Sequence, residues 1–243
     1  ADLTGTGVNF RNDTGIFTQS GGTMALLARE GNAAPGTEPG VNFNRLLNSE
    51  PPLLNKTGET AFVASLTGPG VHDTNDVGLF SESRGTLGLV AREGDPAPGT
   101  GAGVKFRSFG FGALNDAGQT AFYGFLTGSE VDATNELGLF VTNPGGTPKL
   151  IVREGDVFDV NPSPLISMDR TISVISNVVT FSNNTFNNQG QIVFRLAFTD
   201  GTEGVFVATI TVPEPVSLAL WGVSCLGLLV RRQQQTHFIG HGR

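Results

Sequence analysis

Two short acidic loops carry the side chains that are best suited to chemistry in this sequence. One reads His72-Asp73-Thr74-Asn75-Asp76, and the other reads Asp132-Ala133-Thr134-Asn135-Glu136. Closely spaced carboxylate and amide oxygens are the ligands that Ca²⁺ prefers. Neither loop contains a complete EF-hand pattern, so calcium is a speculative cofactor. The candidate ligands are Asp73, Asp76, Asp132 and Glu136.

Catalytic constellations are otherwise missing from the sequence. Of the three histidines, only His72 precedes the C-terminal region, so neither a Ser-His-Asp arrangement nor a His-rich metal site can be assembled around it. No phosphate-binding, nucleophile-elbow or dinucleotide fingerprint occurs in a plausible context. Glu93 and Glu154 occupy the same place in two copies of a repeat, whereas catalytic carboxylates should be unique. We therefore predict no catalytic residue, no firm metal site and no enzyme.

The loops belong to a repeated cassette with a period of 60 residues, counted from Asn55 to Asn115. Each copy reads N-x-x-G-x-x-A-F, then L-T-G, G-L-F and R-E-G-D. Asn and Gly suit a hairpin turn, because Asn bonds its own backbone and Gly accepts positive φ. The phenylalanines are predicted to fill the space between packed sheets. These structural roles account for the landmarks better than catalysis does.

Four short strands are predicted in each cassette, at 104–114, 119–126, 137–142 and 149–153 in the best copy. Four strands in 60 residues are typical of a β-propeller blade. The predicted fold class is therefore an all-β repeat protein with β-propeller-like, four-stranded antiparallel blades in an incomplete ring. We expect Phe62 to be buried with Phe80, and Phe122 with Phe140.

The chain divides into a β-repeat domain (1–211), a C-terminal signal (212–232) and a short cytoplasmic tail (233–243). Within the repeats we predict a partial blade (1–36), two complete blades (37–100 and 101–160) and a weaker final blade (161–211). The final blade lacks an L-I-V strand after Gly204-Val205-Phe206. Because residue 1 falls inside a cassette, we expect further cassettes upstream.

Composition sets broad limits on function. The 243 residues include 34 Gly and 13 Pro, and only 15% are charged, which is typical of a turn-rich chain. The net charge of -7 and the lack of an internal basic run argue against nucleic acid as a partner. Cys225 is the single cysteine, so an exported form is stabilised without an intrachain disulfide.

The C-terminal region combines a proline motif, an apolar run and a basic pair. Val212-Pro213-Glu214-Pro215 precedes the uncharged run 216–230, which ends at Arg231-Arg232. The run is shorter than the roughly 20 residues of a typical membrane helix. We nevertheless predict one transmembrane helix, with the arginines on the cytoplasmic side and the repeats outside. The alternative is a buried core helix.

This C-terminal region resembles the PEP-CTERM sorting signal, through Val212, Pro213, Glu214, Pro215, Arg231 and Arg232. The resemblance implies export, an inner-membrane-anchored precursor and processing by an exosortase, after which the protein is at the cell surface or extracellular. The tail of residues 233–243 is longer than such signals usually have. The repeats resemble the exported bacterial N-x-x-G-x-x-A-F tandem-repeat family, which implies a propeller-like fold and brings no activity.

Two functions follow from these patterns. The predicted one is an exported surface or matrix-associated scaffold or binding module, whose partners are the exosortase and then an extracellular polysaccharide or a surface protein. The alternative is a propeller-type glycan hydrolase or lyase. The loops 69–76 and 129–136 are the predicted ligand-facing surfaces, because they differ between copies while the landmarks hold the fold.

Overall fold

The structure is a computed structural model, and it describes residues 2–20, 23–46, 51–83, 85–144, 146–161, 166–176 and 185–210. These residues form strands, turns and loops, without a helix. Among them there is accordingly no apolar helix of membrane-spanning length. The predicted sorting signal and transmembrane helix, 212–232, and the tail 233–243 lie outside the described residues. The all-β prediction is confirmed.

The strands form four antiparallel sheets, which we number along the chain. Sheet 1 contains β1 (Gly15–Ser20) and β2 (Thr23–Arg29). Sheet 2 contains β3 (Asn42–Arg45), β4 (Leu53–Leu54), β5 (Thr60–Thr67), β6 (Val77–Ser83) and β7 (Thr86–Arg92). Sheet 3 contains β8 (Lys105–Leu114), β9 (Thr120–Thr127), β10 (Leu137–Thr142) and β11 (Lys149–Arg153). Sheet 4 contains β12 (Val157–Asp159), β13 (Asp169–Ser176), β14 (Gln191–Phe198) and β15 (Glu203–Thr209).

Sheets 2 and 3 are the two complete cassettes. In each, the A-F and G-L-F strands are neighbours, with Phe62 opposite Phe80 and Phe122 opposite Phe140. The rings stack with centroids 5.8 Å and 5.5 Å apart, and all four side chains are fully buried. The predicted pairing and burial of these phenylalanines is confirmed.

Side chains alternate between the two faces of every strand, so a sheet can present apolar side chains on both faces. The sheets stack face to face through these side chains. Phe62 and Phe80 pack toward sheet 1, whereas Leu79 packs toward Phe122 and Phe140 of sheet 3. Leu139 on the other face of sheet 3 packs with sheet 4. Each core cluster of the described residues thus joins two consecutive sheets, and none joins sheet 4 back to sheet 1.

Sheet 4 departs from the repeat at both of its edges. Its first strand, β12, pairs with β13 and lies before the predicted boundary at residue 160. At the other edge, β15 pairs only with β14 within the described part of the chain. The outward face of this sheet carries an ion pair between Arg195 and Glu203, and Val205 there is 42% exposed. The corresponding Leu79 and Leu139 are completely buried.

Candidate functional site

One asparagine makes the same hydrogen bonds in both acidic loops and in the equivalent loop of the first copy. Asn75 Oδ1 accepts the His72 N–H at 2.7 Å, and its amide donates to the Gly70 carbonyl at 3.1 Å. Asn135 makes the same two bonds, to the Asp132 N–H and the Glu130 carbonyl. Asn12 repeats the arrangement in the first copy. The asparagine side-chain amide therefore closes the loop, and it is not free to bind a metal ion.

The arginine of each R-E-G turn fastens the loop to the sheet. Arg92 Nε donates to the Asn75 carbonyl at 2.6 Å, and Arg153 Nε donates to the Asn135 carbonyl at 2.8 Å. Arg29 makes the same bond to Asn12. The partner of this arginine that recurs in all three copies is a backbone carbonyl.

The four candidate calcium ligands differ in their contacts with neighbouring groups. Asp132 accepts from the N–H and hydroxyl of Thr134, and these bonds lower the pKa of Asp132. Glu136 pairs with Arg107 at 2.8 Å, and Asp73 lies exposed in its loop. Asp76 interacts with Glu93. In the ranges that the structure describes, no three His, Cys, Asp or Glu side chains converge where a metal ion could be held.

A glutamate of each R-E-G turn is buried beside its acidic loop. Glu30, Glu93 and Glu154 are all less than one-tenth exposed. Burial, with the neighbouring Asp76 carboxylate, raises the pKa of Glu93 to about 7. Burial also raises the pKa of Glu154, whose Oε1 accepts the Ile175 N–H of the next sheet at 3.1 Å. The repeat pattern shows Glu93 and Glu154 as copies of one position but does not predict their burial.

The N-x-x-G turns form a ladder from sheet to sheet, which we call the asparagine ladder (Asn55, Asn115 and Asn187). Asn55 Nδ2 donates to the Asn115 carbonyl at 2.9 Å, 60 residues away. Asn115 Nδ2 donates to the Asn187 carbonyl at 2.8 Å, 72 residues away. Each Oδ1 meanwhile accepts backbone N–H groups of its own turn, as the sequence predicted. The asparagine thus holds its turn and joins neighbouring cassettes.

A second line of bonds runs beside the ladder. The Lys56 N–H donates to Asp116 Oδ1 at 2.8 Å, and the Asp116 N–H donates to Asn188 Oδ1 at 2.9 Å. Neither of these two rows of hydrogen bonds between cassettes was predicted, because the pattern of each turn indicates only bonds within that turn. The one sequence feature that indicates the ladder is the asparagine at the same position of every copy.

A cavity lies between sheets 2 and 3. It has a volume of about 180 Å³, and its lining comprises hydroxyl, glycine and apolar groups, including Ser81, Ser83, Thr86 and Thr142. Ser81 and Thr120 hydroxyls bond each other across this boundary at 2.8 Å. No described residue of the lining is an acid or a base. The described part of the lining therefore contains no acidic or basic side chain for proton transfer.

The fold and these contacts define a modular all-β protein in which each repeated side chain fastens a loop, a turn or the next sheet. The chain belongs to the family described as "Family of unknown function (DUF7453)", which it matches over residues 1–219. This match extends past β15 into the Pro-Glu-Pro segment. No curated protein and no solved structure matches the chain.

Proposed function

We propose that this protein is an exported scaffold or binding module of the bacterial cell surface or extracellular matrix, sorted by an exosortase. The observation that supports this localisation is the order of Pro213-Glu214-Pro215, the uncharged run 216–230 and Arg231-Arg232. The precursor is anchored in the inner membrane through that run. After processing, the repeats are at the cell surface or extracellular, where a polysaccharide or a surface protein is the partner.

The role of a binding module is supported by the division between landmarks and loops. The asparagines of the ladder, the R-E-G arginines and the stacked phenylalanines all make structural contacts. The loops 69–76 and 129–136 expose side chains that differ between copies. We propose that the sheets are blades of a β-propeller-like array in an incomplete ring, supported by the four-stranded antiparallel meanders of sheets 3 and 4 and by the similar path β3-β5-β6-β7 in sheet 2. In such an array the loops of successive blades lie along one edge.

A glycan hydrolase or lyase is the second candidate, and one observation favours it. Glu93 has a pKa of about 7, which suits a general acid. However, Glu93 is buried, interacts with Asp76 and has a copy in Glu154. A repeated structural position accounts for all three facts. Turnover of acidic glycans that is abolished by Glu93→Gln alone, in a folded protein, would establish the enzyme instead.

The sorting proposal is tested by intact-mass measurement after export. The chain, fused to a secretion signal, is expressed in a host that carries an exosortase, and surface material is collected. We expect the mature protein to lack residues 216–243. Glu214→Ala should retain them, whereas the control Gln234→Ala, beyond the arginines, should be processed like the wild type. Wild-type surface protein that still carries residues 216–243 would contradict the proposal.

A further inference from the structure

Similar connecting loops lead into the two complete cassettes, residues 30–41 before sheet 2 and residues 93–104 before sheet 3. Thr37 Oγ1 donates to the Ala34 carbonyl at 2.7 Å, and Thr100 Oγ1 donates to the Ala97 carbonyl at 2.6 Å. The turns close with the Val41 N–H on Glu38 and the Val104 N–H on Gly101, at 3.1 Å and 3.2 Å. Glu38 and Gly101 therefore occupy the same place in the two loops.

Glu38 completes an ion pair with the R-E-G arginine of its own cassette. Arg92 Nη1 lies 2.8 Å from Glu38 Oε2, and the Arg92 side chain is almost entirely buried, at 8% exposed. The backbone N–H of Glu38 and the guanidinium of Arg92 hold the pKa of Glu38 below its usual value. The Glu38 side chain is 71% exposed, so this carboxylate approaches Arg92 from the solvent side.

Arg153 is placed like Arg92 but lacks the carboxylate. Its Nε bonds the Asn135 carbonyl as Arg92 Nε bonds Asn75. Its Nη2 is buried and has no hydrogen-bond partner among the residues that the structure describes. A buried donor without a partner is unfavourable, and more so when the group is charged. Arg92 pairs with Glu38 through Nη1, and the glycine at position 101 leaves Arg153 without a corresponding carboxylate from its loop.

We propose that Arg153, together with the backbone N–H of Gly101, binds the carboxylate of a hexuronate residue in a glycan. The ligand takes the place that the Glu38 side chain fills beside Arg92. The choice of a glycan rests on the proposed function, while the preference for a carboxylate rests on the Arg92–Glu38 pair.

The charges around Arg153 set the kind of anion that fits. Burial raises the pKa of Asp156, whereas the Arg153 guanidinium acts to lower the pKa of both Asp156 and Asp132. Asp95 corresponds to Asp156 in the other cassette, where burial raises the pKa of Asp95, Arg92 acts to lower it and Glu38 acts to raise it. One arginine among carboxylates, in a chain of net charge -7, disfavours dense polyanions. A single carboxylate on an otherwise neutral sugar chain meets this requirement.

The chain offers a matched pair of variants for the test. Gly101→Glu supplies the carboxylate internally, and there is room for it, because a Cβ at Gly101 would meet only Val104 Cγ2 at 4.0 Å. Glu38→Gly removes the carboxylate beside Arg92 and should create a second site. Both changes lie in exposed or open positions of a loop whose backbone bonds are kept.

The experiment is a titration of the full chain with sodium glucuronate at constant ionic strength, followed by the arginine Nε–H signals in ¹H–¹⁵N NMR. We expect saturable shifts at Arg153 with a Kd of about 1–10 mM, and none with glucose. Gly101→Glu should weaken binding at least about tenfold, and Glu38→Gly should add matching shifts at Arg92.

Three results would overturn the proposal. They are an absence of saturation at Arg153, an undiminished response in Gly101→Glu, and tighter binding of N-acetylglutamate amide than of glucuronate, which would assign the site to an acidic peptide. The sorting proposal is judged separately, because removal of residues 216–243 does not involve Arg153.

Discussion

Replacing Asn115 by Asp should show how much the asparagine ladder contributes to stability. Asn115 is 3% exposed, and its Nδ2 donates to Gln119 Oε1 at 2.7 Å and to the Asn187 carbonyl at 2.8 Å. Aspartate has the same size and keeps the acceptor for the Ala117 and Gln119 N–H groups. At pH 7 it presents a carboxylate oxygen to two acceptors, so both donated bonds are lost.

The magnitude follows from the two bonds and the burial of the site. A net hydrogen bond contributes about 0.5–1.5 kcal/mol, and a buried group left without a partner costs about 1–3 kcal/mol. We therefore expect Asn115→Asp to reduce the free energy of unfolding by about 2–4 kcal/mol. Urea denaturation with comparison of m-values gives this quantity directly.

Asn187→Asp is the matched control, because Asn187 has the same turn at the end of the ladder. Its Oδ1 accepts the Gln189 and Gln191 N–H groups, and its Nδ2 donates to Gln191 Oε1. The side chain is exposed, and it makes no bond to a further cassette in the described residues. We expect a loss below about 1 kcal/mol for this variant. Equal losses for the two variants would refute the idea that the ladder joins the sheets.

Three further predictions concern the core, pH and calcium. Phe122→Ala should reduce the free energy of unfolding by about 3–5 kcal/mol, because the ring is fully buried. Phe10→Ala should cost little, because the Phe10 side chain is 79% exposed. A loss below about 1 kcal/mol for Phe122→Ala in denaturant melts would contradict the packing. The folded protein keeps a proton on Glu93 up to its pKa of about 7, while the unfolded carboxyl loses it near 4.5, so stability should fall as pH rises through this window. Glu93→Gln should remove that fall, about 1–2 kcal/mol after solvent screening, and an unchanged pH profile would speak against a buried Glu93. The calcium hypothesis for Asp73, Asp76, Asp132 and Glu136 predicts a higher Tm in millimolar Ca²⁺, and identical melts with and without the ion would exclude it.

The strands of the complete cassettes were accessible from sequence because period-two patterns and turn residues are local signals. The predicted strand 137–142 coincides with β10, and 149–153 coincides with β11. The pairing of Phe122 with Phe140 followed from having one large side chain per strand. β12 was not predicted, because it is only three residues long and lies beside the irregular start of the last cassette.

The contacts between cassettes were not accessible in the same way. Whether Asn55 meets Asn115 depends on how two sheets are aligned when they stack, which no local pattern encodes. The burial of Glu93 has the same origin, because the charge of a glutamate ordinarily predicts exposure. The spacing of the predicted calcium ligands along the chain likewise did not show that the Asp132 N–H bonds to Asn135 or that Glu136 pairs with Arg107.

The ion pair on the outer face of sheet 4 affects how separate molecules meet. A stack whose faces were all apolar could add another copy at its end, and repeated addition would give an open-ended fibre. At this face an incoming sheet would have to strip water from Arg195 and Glu203, at positions where sheet 3 presents apolar side chains to its neighbour. Burying such charges without new partners is unfavourable. The pair therefore disfavours end-to-end association of a protein made of self-complementary layers.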